Sequence, residues 1–208
     1  MKLNYLITTL LLLAITATSC KKNDSGPGDL LKPGSMSMNV NGDRKEAGSA
    51  FVFTAYEPEN DYYLVGITGF FTAEGFTDDE EAGDAFHIYM GMTGAQFNSP
   101  KGTYDVVAEE SDMEGQPTVY ALYQVGIGTQ AGNTYGIVDA DKTVGKLTIT
   151  DYAIGNQNGI PGISGKGFTK LQGTFNMTLT GVKNDGSGGA GEVVITDGKF
   201  SVRNGFGF

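Results

Sequence analysis

The sequence has few of the side chains that bind metals. It contains one histidine, one cysteine and no tryptophan in 208 residues. A His/Cys zinc cage or an iron–sulfur cluster needs several such ligands together, so neither can be built here. Basic side chains are also scarce, with 14 lysines and arginines against 24 acids and a net charge of -10. Because this charge repels phosphate, the sequence predicts no nucleic-acid partner.

Long apolar runs are missing as well. The mostly apolar stretch 6–17 covers 12 residues, well short of the ~20 that cross a bilayer. Lys2 precedes this stretch, and the small residues Ala17, Thr18 and Ser19 follow it. A positive charge, a short apolar segment and small residues are typical of a secretory signal. We therefore expect a signal peptide at residues 1–19 that does not span the membrane.

The single cysteine, Cys20, comes directly after the predicted cleavage point. This arrangement resembles a bacterial lipoprotein signal. The resemblance implies that Cys20 is lipidated with palmitate-like acyl chains and that the membrane is a partner through it. It also implies a lipid-anchored location at the outer membrane, on the cell surface or the periplasmic face. The alternative is an ordinary secretory signal that happens to precede a cysteine.

The residues after Cys20 predict a tether followed by one domain. Residues 20–34 are polar and rich in Gly, Ser and Pro, so they cannot bury enough apolar area to fold. Fifteen flexible residues give an end-to-end distance of roughly 20 Å. Residues 35–208 fit a single domain by length.

Apolar residues alternate with polar ones in this domain, which is typical of strands with one buried face. In the window 171–180, Leu171, Phe175, Met177 and Leu179 share one face. Two other windows, 86–92 and 146–152, repeat the pattern; their predicted buried residues are Phe86, Ile88, Met90, Met92, Leu147 and Ile149. Further strands are predicted at 37–40, 51–56, 62–71, 102–107, 119–125, 134–138 and 192–202, giving about ten.

Turn residues separate these strands as expected for antiparallel neighbours, at 41–42, 59–61, 99–102 and 184–186. Asp197-Gly198 is interpreted as a bulge within one continuous last strand. Glycine is about twice as frequent as usual, with 32 residues, and no sustained amphipathic helix is visible. The sequence therefore predicts an all-β domain, either an antiparallel β-sandwich or a flattened, partly open barrel.

A set of short motifs recurs in the order seen in a family of small Gram-negative lipoproteins with an all-β domain of unknown function. The motifs are Val40-Asn41-Gly42 followed by Ala47, Gly102-Thr103-Tyr104, a strand with Tyr120 and Tyr123, Gly145-Lys146-Leu147-Thr148-Ile149, Gly173-Thr174-Phe175 and Ile195-Thr196-Asp197-Gly198-Lys199-Phe200-Ser201. The chain resembles this family over most of its mature length. Family members often carry a tryptophan after the first Asn-Gly turn, where Lys45 lies nearby here. The resemblance implies an all-β lipoprotein and supplies no activity, cofactor or catalytic residue.

Motifs that suggest chemistry lack the context that the chemistry needs. The segment 186–191 matches G-x-G-x-x-G, but a strand follows it instead of the helix that a dinucleotide site requires. We interpret 184–191 as a flexible hairpin loop. The segment 162–166 lacks the spacing of a phosphate loop and of a nucleophile elbow. His87 falls on the polar face of its strand, with no marked partner serine, and is expected to be a surface imidazole.

Two acid-rich stretches, 78–84 and 109–114, could offer oxygen ligands to a hard cation such as Ca²⁺. Neither has the spacing of a calcium loop. The commoner explanation is solvated charge that keeps sheet edges from pairing with other chains. We therefore predict no catalytic, cofactor or metal-binding residue.

Two functional classes remain at this point. The first is a non-catalytic surface module that binds glycan or protein through exposed aromatic residues, with Tyr62, Tyr89, Tyr120 and Tyr123 as candidates. The second is a lipid-anchored polysaccharide hydrolase, which would need two carboxylates about 5 to 10 Å apart across a cleft.

Replacing Cys20 tests the predicted anchor. In Cys20→Ser the acyl chains cannot be attached, and with them goes about 0.8 kcal/mol of membrane affinity per buried CH₂. We expect the variant to leave the membrane fraction and to lose the corresponding mass. A variant that still pellets with membranes after a salt wash, with an unchanged mass, would contradict lipidation at this residue.

Overall fold

A computed structural model describes residues 34–71, 83–107, 118–127, 132–136, 143–160 and 163–204. These residues form strands β1 (Ser35–Val40), β2 (Asp43–Glu46), β3 (Ser49–Glu57), β4 (Tyr62–Phe71), β5 (Asp84–Thr93), β6 (Gly102–Val107), β7 (Thr118–Val125), β8 (Asn133–Tyr135), β9 (Thr143–Ile160), β10 (Ile163–Lys183) and β11 (Gly189–Asn204), with a short helix α1 (Gly94–Asn98) between β5 and β6. The predicted all-β fold is confirmed. The signal peptide, Cys20, the tether up to residue 33 and the acidic residues 78–82 and 109–114 lie outside the described residues.

The strands form one mixed sheet in the order β2-β1-β11-β3-β4-β5-β7-β6-β9-β10-β8. A further pairing of β10 with β11 brings the sheet back on itself, so that it curls into a partial ring. Most neighbours are antiparallel, as expected from the turn residues. The β3–β11 and β6–β7 pairings are parallel, and they cover only two residue pairs and one residue pair, respectively.

Left-handed backbone conformations occur where the sequence predicted turns and a bulge. Asn41 and Gly42, with φ of 52° and 94°, join β1 to β2, and Asp61, with φ of 45°, precedes β4. Asp197 has φ of 52° inside β11, and the β10–β11 register changes at this point. The last strand is therefore continuous and bulged, as predicted.

The glycine-rich connection between β10 and β11 is shorter and more ordered than expected. β11 begins at Gly189, so the turn occupies only residues 184–188. Within it the Ser187 amide donates to Asp185 Oδ1 at 2.8 Å, and the Thr134 hydroxyl donates to Asn184 Oδ1 at 2.9 Å. The interpretation of 184–191 as a flexible loop is wrong, because backbone pairing extends through its second half.

The inner face of the ring carries the hydrophobic core. All six residues predicted to be buried in the windows 86–92 and 146–152 are at most 2% exposed, and Leu171, Phe175, Met177 and Leu179 are at most 3% exposed. Five methionines contribute to this core: Met36, Met38, Met90, Met92 and Met177. Because methionine is unbranched and flexible, it fills the irregular space between strands that converge from several directions.

Strand β5 is buried on its outer face too, which alternation alone does not predict. Two neighbouring aromatic rings lie over glycines on this side of the sheet: Phe53 of β3 covers Gly66 of β4, and Tyr62 of β4 covers Gly91 of β5. A side chain at either glycine would collide with the ring above it. The missing side chains thus let aromatic rings lie flat against the sheet and add a second apolar layer.

Side chains connect β2 to β5 across the end of the ring away from α1. Lys45 forms an ion pair with Asp84, and the Tyr123 hydroxyl donates to the same carboxylate oxygen at 2.7 Å. The Lys45 ammonium also lies 5.8 Å from the centre of the Tyr123 ring. Since Asp84 is 13% exposed in its side chain, this cluster provides partners for a carboxylate that would otherwise be poorly solvated.

Phe175 tests the packing of the inner face. Its ring stacks on Phe86 with 5.0 Å between centroids and lies 6.3 Å from Phe200. Phe175→Ala removes these contacts and leaves a cavity, so we expect a loss of ~3 to 5 kcal/mol in unfolding free energy. The neighbouring exposed residue supplies a matched control, and Thr174→Ala should cost under ~0.5 kcal/mol. Urea unfolding of both variants measures the difference; equal losses would contradict the assigned faces.

Candidate functional site

The hairpin between β3 and β4 brings two tyrosines together at one end of the ring. Tyr56 pairs directly with Tyr63 across the strands, and their ring centroids are 4.5 Å apart. The turn that follows Glu57 ends at Asp61, whose left-handed backbone conformation returns the chain into β4. Aspartate tolerates this conformation better than most residues, so the turn sequence fixes which tyrosines meet.

Helix α1 holds the second tyrosine from inside. Thr93 and Gln96 form a capping box at its start: the Gln96 amide donates to Thr93 Oγ1 at 3.4 Å, and the Thr93 amide donates to Gln96 Oε1 at 2.8 Å. Phe97 is fully buried, and its ring stacks on Tyr63 at 4.0 Å and 1°. On its other side Phe97 contacts Phe168, with centroids 4.7 Å apart. Tyr63 is therefore backed by a rigid core contact.

Tyr56 is the exposed end of this stack. It is 44% exposed, and its hydroxyl donates to Asp61 Oδ1 at 3.3 Å. Partial desolvation raises the pKa of the Tyr56 phenol, and the charge of Asp61 raises it further. We call Tyr56, Asp61 and Tyr63 the Tyr56 rim. It presents an aromatic ring and a carboxylate side by side, which suits a ligand with an apolar face and hydroxyl or amine donors at its edge.

The Asp61 carboxylate lies against a glycine that leaves room for it. A Cβ at Gly94 would lie 2.6 Å and 2.7 Å from the two carboxylate oxygens. The Gly94 amide donates to the Asp61 backbone carbonyl at 3.1 Å, which ties the turn to the start of α1. Asp61 makes no ion pair with any lysine or arginine among the described residues. Its oxygens therefore keep capacity to accept further hydrogen bonds.

A polar cluster lies on the opposite side of Phe168. The Tyr152 ring meets Phe168 edge-on at 6.1 Å, and the Tyr152 hydroxyl donates to the Asn98 carbonyl at 3.0 Å. Lys101 lies 5.9 Å from the Tyr152 ring, and its ammonium is 3.6 Å from Asp151. The hydrogen bond and charge of Lys170 lower the pKa of Asp151. These contacts satisfy one another, so we assign the cluster a structural role at the end of α1.

The four tyrosines proposed from the sequence do not form one exposed surface. Tyr89 and Tyr123 are 3% and 1% exposed, so the expectation that they are surface residues is wrong. Tyr123 belongs to the inner face, and Tyr89 stacks on Tyr120 at 4.9 Å on the outer face. Tyr120 and Tyr62 are partly buried. Burial raises the pKa of both Tyr89 and Tyr123, as expected for phenols held away from water.

His87 is also misplaced by the sequence pattern. It was expected on the surface, yet it is 4% exposed because both faces of β5 are covered. Its Nδ1 lies 3.0 Å from the Thr68 hydroxyl, and the Gln124 side chain also bonds to the imidazole. Phe70 and Tyr89 flank the ring at 6.4 Å and 5.9 Å. These neighbours across three strands make His87 part of the second apolar layer.

The described part of the predicted acidic stretch 78–84 is Asp84, which is paired with Lys45 as described above. Elsewhere, Asp105 pairs with Lys146 and Asp151 with Lys170. Among the residues that the structure describes, no group of three or more His, Cys, Asp or Glu side chains is arranged to hold a metal ion.

Sequence reasoning missed Tyr56, Asp61 and Tyr63 as a unit, although the information to find them was present. The turn at 59–61 was predicted correctly, and counting outward from it pairs Tyr56 with Tyr63. The signal was overlooked because Tyr56 is the last residue of its predicted strand. The stack on Phe97 could not be foreseen, because α1 is only five residues long and has no helical periodicity to detect.

Comparison with known proteins finds no match to a family model, to a curated protein or to a solved structure. Within the described ranges, no helix has the length and hydropathy needed to span a membrane.

The burial of His87 predicts a specific dependence of stability on pH. Burial lowers the pKa of its imidazole from 6.5 to about 4. Between these values the unfolded chain binds a proton that the folded chain does not, so stability is present above the unfolded pKa and falls as the pH decreases through this window. The wild type should lose about 2 to 3 kcal/mol more than His87→Gln between pH 7.5 and pH 4.5.

Urea unfolding at both pH values measures this difference. Carboxylates titrate in the same range, but they do so in both proteins and cancel in the comparison. Equal losses in the wild type and His87→Gln would show that the imidazole titrates normally in the folded protein.

Proposed function

We propose that this protein is a lipid-anchored, non-catalytic binding module of the cell envelope, tethered through acylated Cys20, with the Tyr56 rim as its binding surface. The glycan or protein ligand contacts the exposed ring of Tyr56 and the carboxylate of Asp61. The short tether keeps the domain close to the membrane.

The exposure of Tyr56 on a buried aromatic stack carries this proposal. Large aromatic side chains that remain exposed are unusual anchors, because they offer contact area with few rotatable bonds to immobilise. Tyr56 is 44% exposed while its neighbours Tyr63 and Phe97 connect it to the core. A ligand therefore meets a ring that is already positioned.

The alternative, a polysaccharide hydrolase with paired carboxylates, finds less support. A retaining or inverting mechanism needs two carboxyl groups facing each other, one of them with a raised pKa. The carboxylates of Asp84, Asp105 and Asp151 are instead each paired with a lysine. The pKa of Asp151 is lowered, which is the wrong direction for a general acid.

A glycan array probed with the full-length lipoprotein and with Tyr56→Ala tests the proposed surface. Loss of a stacking ring should weaken binding about tenfold, corresponding to ~1.4 kcal/mol. Val194→Ala is a suitable control, because Val194 is 46% exposed on β11 and is not part of the rim. Its array signals should match those of the wild type.

Array signals that are the same for Tyr56→Ala and the wild type would refute the rim as the binding surface. An equal loss in Val194→Ala would do so as well, because it would show that the effect is not specific to the rim. Near-ultraviolet circular dichroism of each variant checks that the aromatic packing is retained.

A further inference from the structure

The chemistry around Tyr56 defines the class of ligand more narrowly. Tyr56 supplies a flat ring at the edge of the protein, and Asp61 supplies oxygens beside the phenol end of that ring, at 3.3 Å from the hydroxyl. A ligand that covers both must have an apolar face next to hydrogen-bond donors. Pyranose sugars have this form, since their ring C–H groups make one face apolar and their hydroxyls project from the ring edge.

The carboxylate of Asp61 is well suited to accept from two adjacent hydroxyls. An ionised carboxylate has about four acceptor positions, and the Tyr56 hydroxyl uses one of them. The absence of a side chain at Gly94 leaves space beside both oxygens. Because Asp61 has no ion-pair partner among the described residues, no lysine or arginine competes with a sugar hydroxyl for these oxygens.

The charge near Tyr56 selects against acidic sugars. Glu57, Glu59 and Asp61 lie in the hairpin, and the segment 55–63 contains no lysine or arginine. The whole chain has a net charge of -10. Uronic acids, sulfated sugars and phosphorylated sugars would bring like charges to this surface without a cation to pair with them.

We propose that the Tyr56 rim binds neutral polysaccharide, with one pyranose ring stacked on Tyr56 and adjacent hydroxyls donated to Asp61. This inference rests on the proposed function, because it assumes that the rim is the binding surface. A cationic ligand, which the same carboxylates would attract, is the competing possibility.

Affinity electrophoresis of the full-length lipoprotein in detergent tests the ligand class. Gels contain dextran, mannan, laminarin or galactomannan as neutral probes, polygalacturonate as the anionic probe, or chitosan as the cationic probe. We expect retardation by at least one neutral polysaccharide and none by polygalacturonate. Added salt should leave neutral binding unchanged, whereas it screens the attraction of a cationic ligand.

Three variants assign the contacts. Tyr56→Ala should weaken neutral binding about tenfold, and Asp61→Asn should weaken it several-fold because an amide offers fewer acceptors. Tyr56→Phe retains the stacking ring and should bind within about threefold of the wild type. Val194→Ala again serves as the control and should bind like the wild type.

The outcomes separate this inference from the proposed function. Retardation by chitosan alone, abolished by salt and by Tyr56→Ala, would retain the rim as the binding surface and overturn the neutral-sugar ligand. Retardation by polygalacturonate that depends on Tyr56 would do the same. Neutral binding that is unaffected in Tyr56→Ala and in Asp61→Asn would overturn both proposals.

Discussion

The pairing of β10 with β11 is the interaction on which the rest of the structure depends. These strands match over twelve residue pairs, and β11 also bonds to β1 and β3. The sheet returns to itself only through this hairpin. Because the β3–β11 and β6–β7 links are so short, side-chain packing inside the ring must supply the stabilisation that backbone pairing does not supply at those points.

Alternation in the sequence was sufficient to locate strands with one wet face. The predicted bounds 62–71 and 102–107 are those of β4 and β6, and the buried face of β10 was predicted residue by residue. The sequence pattern failed at β5, where polar identity suggested a surface for His87. Burial there depends on Phe53 and Tyr62 lying over glycines of neighbouring strands, and a single strand's pattern contains no information about such cross-strand cover.

The candidate site shows the same division between local and long-range information. The turn before β4 determines that Tyr56 faces Tyr63, so this part was accessible from local sequence. The support from Phe97 and Phe168 comes from residues about 35 and 105 positions further along the chain. Only the closed sheet brings these segments together. A list of tyrosines chosen for their position in strands therefore included two core residues and omitted the most exposed ring.

The methionine-rich interior has a consequence for a protein in an oxidising environment. Oxidation turns the flexible apolar thioether into a polar sulfoxide, which no longer suits a packed core. Met36, Met38, Met90, Met92 and Met177 are at most 3% exposed, so oxidants do not reach them while the ring is closed. They become accessible when the ring opens, and their oxidation would then hinder its return. The accumulated sulfoxide at these five positions is thus a chemical record of how often each molecule has opened.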